Sequence, residues 1–462
     1  MGGVAAAGWL VLFLLLQEGP LAFSSRALLR LNPKDYAKPD YTLYHQKSSI
    51  LQAVQDTVNA NPRTMKLETV QEEDKKYTST MQVVTVEPAG LSSDHASKAR
   101  IFIDYGEHAR EFISAELGLR LLQVLADPAA VIKAVGDEQR GQHLITLLDR
   151  VVFTILPMEN ANGRDTVERG QLCERKNGRG VDTNRNWSVD WGKKEKDYSA
   201  AEENPGTGPF SEPETQLVLE LVRAFQPHVW LNVHSGMEAM FVPWDHQSKV
   251  APEASEALKI IQTIKRDLFT SKCVVGSGGK SVGYLAHGTA TDYMFQELKV
   301  PLSYTWEIYG DLKADSNDCF RMFNPIGRKE VEATIELWLK ATFRLIELLP
   351  SHPAVSSIFQ SHSSSSSDSG RNGSGSSSSS QSVSIPSVQA APFAAVPPLA
   401  TEISSSSAMY PSNSAQAWKY AFLGCAGMGM LGFLVVRVFK RTGPSPRGLV
   451  KSLEESKRGA WV

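Results

Sequence analysis

Three side chains, two of them neighbours and the third far along the chain, have the types that hold a catalytic metal. His108 and Glu111 fall in Ile103-Asp-Tyr-Gly-Glu-His-Ala-Arg-Glu111, directly behind an apolar run, and His234 closes a second one, His228-Val-Trp-Leu-Asn-Val-His234. Two imidazoles and a carboxylate are the donor set of a zinc site that keeps its fourth position open for water. A His-x-x-Glu turn supplies two donors together, and a distant strand supplies the third. The same tetrapeptide also suits the polar rim of a solvated loop, so its meaning rests on the segments that carry it. A further carboxylate, Glu307, lies within another apolar run.

Those segments read as buried strands. Residues 99–105, 150–158, 228–235 and 302–309 are short, nearly continuous apolar runs rich in β-branched and aromatic residues, the pattern of strands covered on both faces. Between them, Ile113, Leu117, Leu121 and Val124 recur at helical spacing, and residues 213–225 behave alike. The alternation predicts an α/β fold, a mixed twisted sheet with helices on both faces, forming a single catalytic domain over residues 36–350. In open sheets of this class, ligands gather where strands give way to loops. The candidate residues sit at such places.

One more stretch changes the weight of the others: Arg179-Gly-Val-Asp-Thr-Asn-Arg-Asn-Trp187. With Gly106-Glu-His-Ala-Arg-Glu111 before it, and Val233-His-Ser-Gly236 and Tyr304-Thr-Trp-Glu-Ile-Tyr309 after it, the chain resembles the zinc metallocarboxypeptidase family of carboxypeptidases A, B, E and N. The resemblance covers residues 41–346, with the motifs in the family's order. It implies one zinc ion per chain, held by His108, Glu111 and His234, with Asp182 accepting the outer N–H of His108. Glu307 matches the general base, which takes a proton from the attacking water and returns it to the departing amine. Arg175 matches the arginine that stabilises the oxyanion.

Asn184, Arg185 and Tyr284 match the group that clamps a substrate's free carboxylate, a task suited to a planar guanidinium that meets a carboxylate through two parallel bonds. Arg110 matches an arginine of an outer subsite. The implied activity is zinc-dependent hydrolysis of the C-terminal residue of peptides or proteins. Two other readings use the same fold. A zinc amidohydrolase of small N-acyl amino acids would need the metal set but not the clamp, and a non-catalytic receptor ectodomain would need neither Glu307 nor every ligand.

The terminal side chain selected is read from three positions. Where the basic-specific digestive enzymes carry an aspartate this chain has Thr291, and where aromatic-preferring enzymes carry isoleucine it has Gly279. Asp245, in Phe241-Val-Pro-Trp-Asp-His246, matches an aspartate of the E and N branch that pairs with terminal lysine or arginine. The expected preference is therefore for C-terminal Arg or Lys.

The rest of the chain speaks of location. Residues 1–24 read as a secretory signal peptide with an apolar core from Val4 to Leu16. Residues 351–416 are rich in serine, glycine and proline, the composition of a disordered stalk, and carry the N-glycosylation sequon Asn372-Gly-Ser374. Residues 417–437 are long and apolar enough for a transmembrane helix, and the basic residues Arg437, Lys440 and Arg441 put the 438–462 tail in the cytosol. The expected protein is a single-pass type I glycoprotein of the secretory pathway or plasma membrane, its catalytic domain lumenal or extracellular. A net charge of −2 provides no global field to recruit nucleic acid. Of four cysteines, Cys425 lies in the predicted span; Cys173, Cys273 and Cys319 permit one disulfide and one free thiol, with the pair left open.

Overall fold

The computed structural model describes residues 35–360, except 93, 270 and 271. Its centre is an eight-stranded mixed sheet in the order β1-β2-β4-β3-β5-β8-β6-β7. The strands are β1 Met65–Asp74, β2 Tyr77–Val86, β3 Ala99–Tyr105, β4 Val151–Leu156, β5 Val229–His234, β6 Met237–Val242, β7 Val274–Ser277 and β8 Leu302–Tyr309. Strands β4, β3, β5 and β8 run parallel. The β1–β2 hairpin joins β4 antiparallel, and β6 joins β8 antiparallel. This is the mixed sheet that the alternating patterns predict, and all four strands expected from the apolar runs are present.

Strand alternation divides the central residues between two faces. Ile101, Ile103, Leu231, Val233, Tyr304 and Trp306 belong to one core, which they share with residues of the helices Lys47–Ala60, Phe112–Leu125, Ser255–Leu268 and Arg328–Leu348. Phe102 and Trp230 point the other way, into a smaller core with residues of the helices Pro213–Phe225 and Ala290–Gln296. On this second face the same alternation carries Asn232 and His234 on β5 and Thr305 and Glu307 on β8. Apolar residues therefore fill the middle of that face, and polar ones take over at the C-terminal ends of the strands.

Two features place those ends. The chain leaves β3 to form β4 on one side, then returns to form β5 on the other, and such a switch point opens a crevice at the strand ends. Gly106, directly after β3, has φ +71°, and a Cβ there would lie 3.3 Å from the Met158 Cα. A side chain is disfavoured on both counts. The turn it permits delivers Glu107 to Glu111 over the sheet.

The folded region runs past the predicted boundary at 350. Leu349–Ser351 form a 3-10 turn and Ser356–Gln360 a short helix, with Val355 wholly buried and Ile358 and Phe359 packed on the main core. Assigning residues 351–360 to a disordered stalk is thus corrected: three apolar side chains interrupt the serines and anchor the segment. The predicted leader at 1–24, the remainder of the stalk with Asn372, the 417–437 span and the 438–462 tail lie outside the described residues. Among the described residues, no helix is long and apolar enough to cross a membrane. The disulfide pairs Cys173 with Cys319, and Cys273 is a buried free thiol.

Candidate metal centre and substrate cleft

The three predicted metal donors meet. His108 comes from the loop after β3, Glu111 directly precedes the helix Phe112–Leu125, and His234 ends β5. The Nδ1 atoms of His108 and His234 stand 3.0 Å apart. Glu111 reaches both, with Oε1 2.8 Å from His108 Nδ1 and Oε2 3.2 Å from His234 Nδ1. The outer nitrogens face carboxylates instead: His108 Nε2 is 3.4 Å from Asp182 and His234 Nε2 is 3.2 Å from Glu107. With the outer nitrogens protonated and the inner ones bare, the state metal binding requires, two lone pairs and a carboxylate converge on one point, where a cation would lie between them. Tetrahedral zinc with bonds of about 2.0–2.1 Å spaces its donors by roughly 3.3 Å. The observed spacings are close to that value, so the donor set fits zinc.

A second carboxylate, not anticipated from the sequence, completes the arrangement. Glu107, His108 and His234 also bring donor atoms within 4.8 Å of one another. Glu107 nevertheless meets the outer nitrogen of His234 and accepts from Asn232 at 2.7 Å. Its place is behind the ring, while Glu111 holds the inner position. Asp182 stands likewise behind His108, as the resemblance implies.

Charge is tightly balanced here. Burial raises the Asp182 carboxyl, but Arg175 and Arg185 outweigh it and hold the group well below the usual range. Burial also opposes ionisation of Glu111, and the two histidines, His108 foremost, overcome it. His234 is driven upward against its burial by Glu107 and Glu111. Arg175 is held by Asp182 at 2.8 Å through Nε, and its NH1 lies 3.1 Å from His108 Nδ1. Glu307 is buried, with Oε2 lacking any hydrogen-bond partner. It lies beside His234 in the β5–β8 register. Burial, then the charge of Glu111, raises its carboxyl.

A cleft opens beside this cluster, lined by His108, Arg175, Asn184, Arg185, Tyr284 and Glu307. Asp182 bonds the Asn184 N–H and so starts a short turn, Thr183–Arg185. The Asn184 side-chain oxygen accepts from Ala290 N at 2.9 Å, which leaves its amide hydrogens for the cleft. Arg185 donates to Asn184 O, to Glu203 and to the Tyr284 hydroxyl at 3.0, 3.3 and 3.4 Å. The three residues of the expected clamp are together. The neighbouring Asn186, which begins the sequon Asn186-Trp-Ser188, is committed internally, because its amide donates to Pro205 O, Gly208 O and Ser211 Oγ.

Asp245 lines the same cleft, with Gly278, Thr289 and Thr305. Burial, then the neighbouring Asp292, raises its carboxyl. Thr291 does not line the cleft: its hydroxyl is taken by Thr305 at 2.7 Å and the Trp230 indole N–H at 3.3 Å. Its side chain faces the sheet, and Thr289, two residues earlier, faces the opening. Gly279 likewise stands behind the wall, hard against the backbone oxygens of Asp245 and Gln247. Arg110 is also outside the lining. It pairs with Glu202 at 2.7 Å, donates to Cys173 O at 3.0 Å and lies over the Phe323 ring.

Comparison with known proteins decides what this arrangement belongs to. The model of the zinc carboxypeptidase family matches residues 50–333. The chain belongs to that family. Carboxypeptidase B2 of Rattus norvegicus is 29% identical over 234 residues, covering 46% of this chain and 52% of the relative. Carboxypeptidase B of Helicoverpa zea is 28% identical over 240 residues, covering 46% and 51%. The chain thus spans about half the length of the curated relatives it matches. Among solved structures, the carboxypeptidase A from Helicoverpa armigera superposes with a TM-score of 0.53 at 20% identity, over 68% of this chain and 76% of that one. At that identity the likeness speaks for the fold.

Proposed function

We infer that this protein is a zinc-dependent carboxypeptidase that removes C-terminal residues from peptides or proteins, preferring arginine or lysine. The observation that carries the reading is the convergence of His108 and His234 Nδ1 with Glu111 beside an orphaned Glu307, in a cleft whose other wall is Asn184, Arg185 and Tyr284. When bound, zinc polarises the attacking water and brings its ionisation toward neutral pH.

The remaining chemistry falls to the side chains. Arg185 and the Asn184 amide hold the terminal carboxylate, which restricts attack to the last peptide bond. Glu307 takes the proton at its unpartnered oxygen and later gives it to the amine nitrogen. Arg175, with Nε spent on Asp182, offers its remaining N–H groups to the developing oxyanion. Asp245 supports the basic preference: a buried carboxylate is offset by a cationic side chain and left unpaired by an apolar one. The disulfide suits the oxidising lumen expected of a type I membrane protein.

The test combines zinc analysis with release of the last residue from peptides of mixed C-termini. Glu307→Gln is expected to keep the metal and the fold while losing at least about a hundredfold in kcat. Full activity in that variant would end the mechanism.

A further inference from the structure

The Asp245 carboxylate is positioned by residues that are not themselves selectors. Asp245 N lies 3.0 Å from both Asp292 oxygens, and His246 adds its backbone N–H at 3.1 Å and Nδ1 at 2.6 Å. Two more bonds hold the turn, from Gly279 N to Trp244 O and from Ala286 N to Asp245 O, each at 3.0 Å. The backbone of Asp245 is therefore fixed from three sides. None of these bonds involves its carboxylate.

That side chain occupies the space of another residue's missing one. A Cβ on Gly278 would stand 1.8 Å from Asp245 Oδ1, far inside contact distance. We propose that Gly278 is a specificity-determining residue: its bare backbone is the seat on which the Asp245 carboxylate faces the cleft, so any side chain there turns the carboxylate away. The inference rests on the reading of Asp245 as selector of basic residues.

The steric details separate this role from a merely structural one. The atom met at Gly278 is the tip of a rotatable side chain, and the φ of Gly278 is outside the left-handed region, so an alanine is absorbed by rotating Asp245. At Gly279 the same atom would meet the backbone oxygens of Asp245 and Gln247 at 2.4 and 2.6 Å, which only a backbone shift relieves. Adjacent glycines thus differ in what substitution disturbs.

The experiment measures kcat/KM for two peptides differing only in a terminal Arg or Phe, using the full chain with zinc content recorded. Wild type, Gly278→Ala, Asp245→Ala and the double variant are compared. Gly278→Ala is expected to lower the Arg-over-Phe ratio about tenfold or more, and the double variant to show no loss beyond Asp245→Ala alone. An Arg preference that Asp245→Ala removes but Gly278→Ala keeps overturns the inference and spares the selector reading. No Arg preference in wild type overturns the selector reading, and this inference with it. Should Gly278→Ala fail to fold, recovery of folding in the double variant supports the overlap with Asp245, and failure of both overturns it.

Discussion

Glu107 touches the outer face of His234 and accepts from Asn232, so its contribution belongs in metal affinity. Glu107→Gln removes the charge that fixes the ring's proton on the outer nitrogen, and zinc is expected to bind about 10- to 100-fold more weakly, as measured by competition with a chelating dye. The pH dependence of binding has a definite sign. His234 in the metal-free protein holds its proton well above the usual imidazole range, Glu107 and Glu111 outweighing burial. Zinc must displace that proton. Affinity should therefore rise with pH until His234 is deprotonated and fall on acidification, about tenfold per unit for one proton; the same competition at a series of pH values checks it. The convergence of His108, Glu111 and His234 was legible in the sequence because motif order groups them. Glu107 was not, since a carboxylate adjoining His108 gives no sign of serving the other histidine. The orientation of Thr291 was not legible either: one helical turn decides between cleft and sheet, and spacing along the chain does not reveal which way it faces.

The strands that hold the site were legible because burial on both faces leaves continuous apolar runs, as β5 shows with every residue buried. The β1–β2 hairpin escaped notice because β1, Met-Lys-Leu-Glu-Thr-Val-Gln-Glu-Glu-Asp, exposes much of its length and reads as polar. β7 is only four residues long, too short for a pattern. The turn between β3 and the metal loop offers a test at this scale. Gly106→Ala must place a side chain at φ +71°, at a cost of about 1–2 kcal/mol. The expected result is a matching loss in denaturant stability together with weakened zinc binding, because the loop that shifts is the one carrying His108 and Glu111.

The folded unit takes in the segment up to Gln360, and its outer limit can be located by truncation. A chain ending after Gln360 should melt as the longer protein does. One ending at residue 350 loses the wholly buried Val355, worth about 1.5–3 kcal/mol, and should melt several degrees lower in a thermal scan. The sequence marked that limit too early because serine content outweighed three apolar residues. The disulfide has a different reach. Cys173 and Cys319 are 146 residues apart, and the segment they close contains Asp182, the Asn184–Arg185 turn, His234, Asp245, Tyr284 and Glu307, but neither His108 nor Glu111. A protease that nicks a loop between Asp182 and Glu307 leaves two polypeptides that cannot diffuse apart, each still bearing part of the site. Such a clipped molecule would run as one species on a non-reducing gel and separate into two only when a reducing agent is added.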